Sequence, residues 1–403
     1  MARALKTVIL LFWFVMLGLL IHRTYLQPTS VIALGVITEE GIKTGDEWFG
    51  IYQQGRKIGF ANTRISMEGD AYRIAEESEM DILALGKVHR VRTVINAYTS
   101  RNFLLKYFDF LLETSQSSMN LKGAVVDKQL VVDIITAGQT RKEKFPLKEP
   151  VYLTPNIRPA MTLMGLETGK RFRFPLFNPA TMSTGEIIVT VESRETIKVG
   201  DAEQTVYKLR QEFQSMEAYA WINQDGETLK EESPLGYSLL KETMVEAKKR
   251  DKQGPAVDIV SLVKIPSIDI PNSGGVNYMK ARLTNVALTG FELDGGRQVL
   301  TNGVIEVSAG SGAGTYVLPS SAADRSAELQ PTTLIQSDDP AIRAEAKKIF
   351  KTIYDAREAA RELNLWVYNS IIKQPVVSIP SAVEVLKQRV GDCNEHTTLY
   401  TAL

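Results

Sequence analysis

The sequence predicts an α+β chain with an N-terminal membrane anchor, a β-rich antiparallel region over residues 46–250 and a helical region over 337–403. Three observations carry that prediction. An unbroken apolar run, Val8 to Ile21, follows Arg3 and Lys6. Short runs of period-two alternation, separated by turn dipeptides, recur from Trp48 onward. From Ser337 the apolar period becomes that of a helix.

The first observation sets the expected compartment. The apolar run is shorter than the ~20 residues of a full span, but Ala4 and Leu5 extend it if Lys6 snorkels. His22, Arg23 and Tyr25 stand where a small-residue cleavage site would lie, which favours an uncleaved signal anchor over residues 1–25. Positive residues at the extreme N-terminus place the tip in the cytoplasm and the bulk of the chain on the exported side, as in a single-pass membrane protein. Pro28, Gly35, Gly41 and Gly45 mark 26–45 as a linker.

Composition narrows the chemistry. In the 403 residues, Lys+Arg 47 balance Asp+Glu 47, so no cationic field exists to bind nucleic acid. One Cys and three scattered His, at 22, 89 and 396, argue against a metal centre, and no cofactor motif is present. The length suits two or three units.

Within 46–250 the segment Trp48 to Phe60 predicts a hairpin turning at Gln54-Gly55, and Tyr72 to Met80 predicts another strand. Further strands are expected at Val88 to Tyr98, Val125 to Ile135, Glu186 to Glu192 and Thr205 to Phe213. In the last, Tyr207, Leu209, Gln211 and Phe213 share one side. Ala218 to Ile222 followed by Asn223-Gln224-Asp225-Gly226 predicts a second hairpin. His89, between Lys87 and Arg90, reads as a solvated strand position. Aromatic residues in these strands read as core, with recognition of an acyl chain or peptide as the alternative. No cluster of catalytic residue types stands out there, and the region resembles the curved-sheet domains of bacterial envelope proteins.

Residues 251–336 read as a loop-rich β connecting region. Its run Ser308 to Gly314 lacks the Gly-Lys-Ser/Thr of a phosphate cradle and reads as a turn. Ser337-Asp338-Asp339-Pro340 then opens a helix, and Ala359, Leu363, Trp366, Val367 and Ile371 form the stripe of a second. Ser381-Ala382-Val383-Glu384 is a capping box opening a third.

Gly391-Asp392-Cys393-Asn394-Glu395-His396 follows. Asp392 and Glu395 form another capping box, which places Cys393 in the first turn of a helix. A thiol there meets the positive end of the helix dipole and free backbone amides, which favour thiolate and can hold an oxyanion. Gly391 leaves room for a substrate beside the sulfur. On position alone a lone cysteine reads as a small buried hydrophobe; the surrounding motif reads the other way. His396 is three residues on, rooted on the same helix, and reads as a packing or supporting residue rather than a general base.

The segment from Ser381 to Leu403 resembles the nucleophile region of the transglutaminase-like superfamily, in the type found in bacterial envelope proteins. That resemblance implies a papain-like fold, with Cys393 as the catalytic nucleophile acting on a protein or peptide substrate through a thioester. It also implies a His base and an Asp or Asn beyond Leu403, so 337–403 reads as a partial domain in a truncated chain of little turnover. The alternative expectation is a noncatalytic envelope interaction or ligand-carrier module. Neither expectation requires a metal or a cofactor.

Overall fold

The structure is a computed structural model. It describes residues 29–31; 42–250 apart from 85, 116–117, 137–138, 200–201 and 214–215; 257–263; 272–309 apart from 285–287 and 289–290; and 328–403 apart from 352 and 375–380. The chain divides into two compact units, one of Met1–Val263, Gln330–Ala346 and Val367–Leu403, the other of Lys264–Leu329 and Lys347–Trp366.

The first unit is built on one long antiparallel meander. Strands β1 (Thr29–Val31), β2 (Gly45–Gln53), β3 (Arg56–Glu68), β4 (Ala71–Ala84), β5 (Lys87–Thr99) and β6 (Leu105–Thr114) are followed by β7 (Ser118–Val126), β8 (Gln129–Thr136) and β9 (Gln139–Pro146). A helix, α1 (Thr154–Leu163), separates these from β10 (Arg171–Asn178), β11 (Ser183–Val199), β12 (Ala202–Phe213), β13 (Met216–Ile222), β14 (Thr228–Glu232) and β15 (Tyr237–Glu242). Each half pairs in sequence order, and β15 pairs with β2 to join them into one 15-stranded sheet. The exception is β1, which runs parallel beside β10. Turn chemistry sets the registers. Gln54 and Gly55, at φ 48° and 79°, form the two-residue turn that the Gln-Gly dipeptide predicts.

The sheet curls. Phe145 on the edge strand β9 and Phe177 on β10, near the opposite edge, have ring centroids 5.2 Å apart. Between them runs the segment before α1: Leu105 N–H donates to the Val151 carbonyl, and Tyr152 N–H donates to that of Pro175. One apolar cluster fills the concave side. It includes Ile74, Phe103, Phe108, Leu121, Leu130, Phe172, Phe174 and Phe177, all essentially inaccessible to solvent, and Ile157, Ala160 and Met161 of α1. The strand aromatics Tyr72, Phe108, Phe110, Phe172, Phe174 and Phe177 are therefore core, whereas Tyr107 is exposed.

The convex side is charged. Arg64 pairs with Asp46 at 2.7 Å, Arg90 with Asp81 at 2.8 Å, Arg92 with Glu77 at 3.0 Å and Arg210 with Glu192 at 2.9 Å. Each exposed pair contributes only about 0–1 kcal/mol. Together they make an outer wall that suits water and not lipid. The edge strand β9 is covered rather than bare: Thr333 donates its hydroxyl to Glu143, and Arg141 reaches the Thr332 carbonyl and the Asp338 carboxylate, both within 3.4 Å.

Beyond the sheet, α2 (Met244–Ala247) and α3 (Ile259–Val263) are short. The second unit carries a three-stranded antiparallel sheet, β16 (Tyr278–Arg282), β17 (Gln298–Thr301) and β18 (Val304–Ser308), with β18 in the middle. Most of the run from Ser308 to Gly314 lies outside the described residues. Helices α4 (Pro340–Phe350), α5 (Ala356–Ser370), α6 (Ala382–Gln388) and α7 (Cys393–Ala402) follow, with strands β19 (Ile372–Lys373) and β20 (Val390–Gly391) paired in parallel. Pro340 opens α4, and Ala359, Leu363, Val367 and Ile371 are the buried stripe of α5 and its end, as their spacing predicts.

Several expectations are corrected. The fold is mostly β, organised by a single large antiparallel sheet, and not an α+β chain ending in the helical start of a papain-like domain. Four helices and a two-stranded pair do not constitute that domain. Among the described residues no helix is long and apolar enough to cross a membrane. The segment 1–25, on which the single-pass anchor and exported location rested, lies outside the described residues, and that reading is not carried further. Val125 to Ile135 is not one strand but the end of β7, a turn at Asp127-Lys128 with both residues at positive φ, and most of β8. His89 is buried, because it shares the side of β5 that Val91, Ile95 and Ala97 turn inward.

Phe177 contacts the rings of both Phe108 and Phe145 and so ties β6 and β9 to β10. Phe177→Ala is expected to cost about 3–5 kcal/mol in denaturant unfolding of the first unit. A loss below about 1 kcal/mol would show that the sheet does not depend on this junction.

Candidate functional site

The concave side is not filled evenly. Between α1 and the inner faces of β2, β3, β4 and β12–β15 lies a hollow with about 760 Å³ of empty space, part of it open to solvent. Its wall combines the apolar residues Phe49, Ile157, Met161, Leu209, Ile222 and Leu239 with the neutral polar side chains of Thr63, Thr154, Gln211 and Thr228. Glu76, Glu231 and Arg158 interrupt that wall.

Strand alternation places Glu76. On β4, Tyr72 and Ile74 point inward and are buried, and Glu76 occupies the next position of the same parity. Its cross-strand neighbour Thr63 also lines the hollow. Glu231 depends on a β-bulge. Trp221 pairs with Lys230 but Ile222 pairs with Thr228, so Leu229 is an extra residue. Leu229 packs outward with Val206 and Trp221, and the bulge turns both Thr228 and Glu231 inward. Without it, Glu231 would fall on the outer wall.

Neither carboxyl has a hydrogen-bond or ion-pair partner among the described residues. Burial drives both toward the protonated form. It raises Glu76 above the ordinary carboxylate range, against the pull of Arg158. It raises Glu231 to about 7, with the charge of Glu76 adding to the effect and that of Arg158 opposing it. Both side chains keep some accessible surface, which opens into the hollow they line.

Arg158 comes from α1, a helix that tolerates Pro155 at its start and Pro159 within it. Its guanidinium lies 2.5 Å from Glu47 Oε2 and donates to the Gly226 carbonyl. The arrangement can hold a positive charge: a guanidinium already fixed by one carboxylate stands beside two further carboxyls that lack a partner.

The structure also places Cys393. It is the first residue of α7, as the capping box predicts, and it is exposed rather than a buried hydrophobe. The capping box forms: Asn394 N–H donates to Asp392 Oδ1 at 3.1 Å, and Asp392 N–H donates to Glu395 Oε2 at 2.9 Å. Gly391 does not hold space for a substrate. A Cβ there would stand 2.3 Å from Glu395 Cβ, so the missing side chain makes room for the capping glutamate. His396 Nδ1 is engaged with the Asp392 carbonyl of its own helix. The Gly-Asp-Cys motif is thus accounted for by the start of a helix. The hollow and Cys393 have no residue in common.

Comparison with known proteins adds the following. No family model matches the chain, and no curated protein does. A crystal structure of a β-barrel-like protein of the domain of unknown function DUF1849 from Brucella abortus is similar, at 8% identity and a TM-score of 0.38, covering 50% of this chain and 96% of that one. A DUF1089 family protein from Pseudomonas aeruginosa is similar at 11% identity and a TM-score of 0.27, covering 48% of this chain and 95% of that one. The transglutaminase-like assignment is corrected: the observed fold is organised by one large antiparallel sheet and not a papain-like domain, and no transglutaminase family model matches the chain. The cysteine-dependent acyl transfer is dropped with it, and the alternative envelope interaction or ligand-carrier module gains no support from these comparisons.

The carboxyls give a stability test with a definite sign. A carboxyl raised in the folded state contributes fully below its unfolded value of 4.5, and that contribution is lost as pH rises through about 7. Glu231→Gln is therefore expected to gain stability on the wild type between about pH 5 and 8, by on the order of 3 kcal/mol at the upper end. Urea unfolding at a series of pH values reads this, and a difference that does not vary with pH would contradict it. Cys393→Ala, at an exposed position, is expected to change stability by no more than about 0.5 kcal/mol. A larger loss by the same method would mean that the thiol is packed.

Proposed function

We propose that the curled sheet is a binding module that takes a small organic cation into its hollow. The observation that carries this reading is the pair Glu76 and Glu231, two carboxyls without partners on a wall they share with apolar residues, neutral polar side chains and Arg158. Desolvated carboxyls destabilise a fold unless something offsets their charge. Protonation does so near neutral pH, and an ammonium or amidinium group would do so at higher pH. The apolar residues around them suit a hydrocarbon or aromatic body behind the charged group.

The chemistry favours an organic cation over a hard metal ion. Calcium takes 6–8 oxygen ligands. The hollow offers two carboxyls and the side chains of Thr63, Gln211 and Thr228 among mostly hydrocarbon groups. Among the described residues no three His, Cys, Asp or Glu side chains converge as a metal site. Glu47 does not serve as a free ligand, because Arg158 already pairs with it.

Calorimetric titration of the full chain with phenethylammonium tests the reading. Binding in the range of about 0.1–1 mM is expected for a ligand of this size. Affinity should rise as pH passes through about 7, with proton release, because the cation replaces the proton of Glu231. The double variant Glu76→Gln, Glu231→Gln should bind at least tenfold more weakly, and neutral phenylethanol should bind the wild type more weakly than the cation. Equal affinity of the wild type and the double variant for the cation would refute the reading, as would the absence of binding throughout.

A further inference from the structure

The charged outer wall is interrupted by an apolar groove. About 990 Å³ of empty space, part of it open solvent, lies between the end of β11 and the strands β14 and β15. A second bulge forms it. Val191 pairs with Leu209 but Ser193 pairs with Lys208, so Glu192 is an extra residue and the parity of β11 changes there. Val189 and Val191 face the core before the bulge. After it, Glu195, Ile197 and Val199 turn to the outer side, where they meet Trp221 and Leu229. Trp221 and Leu229 are buried in the floor, Ile197 and Val199 are half-buried, and Leu240 of β15 is exposed along the groove.

Five charged residues line the groove, and they are not equally available. Both carboxylates are engaged: Glu195 accepts from the Trp221 indole N–H at 2.6 Å, and Glu242 accepts from the Tyr52 hydroxyl and from Lys57. Lys241 is held by Glu227 at 3.1 Å. Lys230 lies over the Trp221 ring, 4.5 Å from its centroid, and pairs with Glu232 at 2.6 Å. That pair is partly exposed, so it exchanges partners at little cost. Lys198 is exposed and has no hydrogen-bond or ion-pair partner among the described residues.

We propose that this groove binds an alkyl carboxylate, with its chain along Ile197, Val199 and Leu240 and its carboxylate met by Lys198 and Lys230. Charge complementarity selects the sign: neither carboxylate in the groove is left to take a cation, whereas one lysine is open and a second can turn from Glu232. The floor selects an aliphatic body, because Lys230 already covers the Trp221 ring and the more open side chains are those of Ile197, Val199 and Leu240. The groove shares no residue with the hollow, and the inference does not rest on the cation reading.

Calorimetric titration of the full chain with decanoate at neutral pH tests it. A Kd of about 0.05–1 mM is expected for a ligand of this size. Octanoate should bind at least threefold more weakly, because two fewer methylenes leave water. Lys198→Glu should weaken decanoate binding at least fivefold, and Leu240→Gln at least threefold; both positions are exposed, so the two variants check each other. The double variant Glu76→Gln, Glu231→Gln should stay within twofold of the wild type, which places the binding away from the hollow. Absence of decanoate binding overturns the proposal, and so do affinities within twofold of the wild type in both groove variants. Sedimentation of the chain alone supplies the remaining outcome: a dimer broken by Leu240→Gln would assign the groove to a second copy and overturn the proposal as well. The cation reading survives each of these failures.

Discussion

Two carboxyl side chains turned into a hollow that offers them no hydrogen-bond partner are the constraint on which this account depends. A packed apolar wall would be more stable, since hydrocarbon in place of Glu76 and Glu231 carries no desolvation cost. Their environment holds them near the protonated form, and the hollow leaves space for whatever replaces the proton. The rest of the first unit can be read as the frame that maintains this arrangement.

That frame has three parts. The curl of the sheet brings Phe145 and Phe177 together and packs one side of the interior solidly. Helix α1 crosses the concave side and covers the remainder, supplying Arg158 as a compensating charge. The bulge at Leu229 reverses the facing of the last residues of β14, so that Leu229 joins the apolar patch around Trp221 on the outer wall while Glu231 faces inward. Outside, charged pairs between neighbouring strands keep the convex wall in water.

Much of the meander is legible in the sequence, because hairpin turns and period-two alternation are local. The Gln54-Gly55 turn, the inward set Tyr207, Leu209, Gln211 and Phe213, and the hairpin ending at Gly226 all appear where those patterns put them. The capped start of α7 is local for the same reason. The curl is not legible, since contact between β9 and β10 depends on twist accumulated across many strands. Helix α1 is hidden by its own prolines, Pro155 and Pro159, which read as breakers. The site was missed differently at each residue. Glu76 breaks the apolar series begun by Tyr72 and Ile74, a signal open to inspection in the sequence. Glu231 carries no such signal, because the bulge shifts its parity. The Gly-Asp-Cys motif misled because a capping box has the same residues whether or not a thiol beside it reacts.

The account's central claim is tested most directly by a carbon-13 NMR titration of the side-chain carboxyls in the folded chain, with Glu76 and Glu231 assigned through their Gln variants. Both midpoints are expected above the ordinary 4.5, that of Glu231 near 7. Midpoints for both at or below 4.5 would show that the carboxyls are solvated or paired, and would contradict the account.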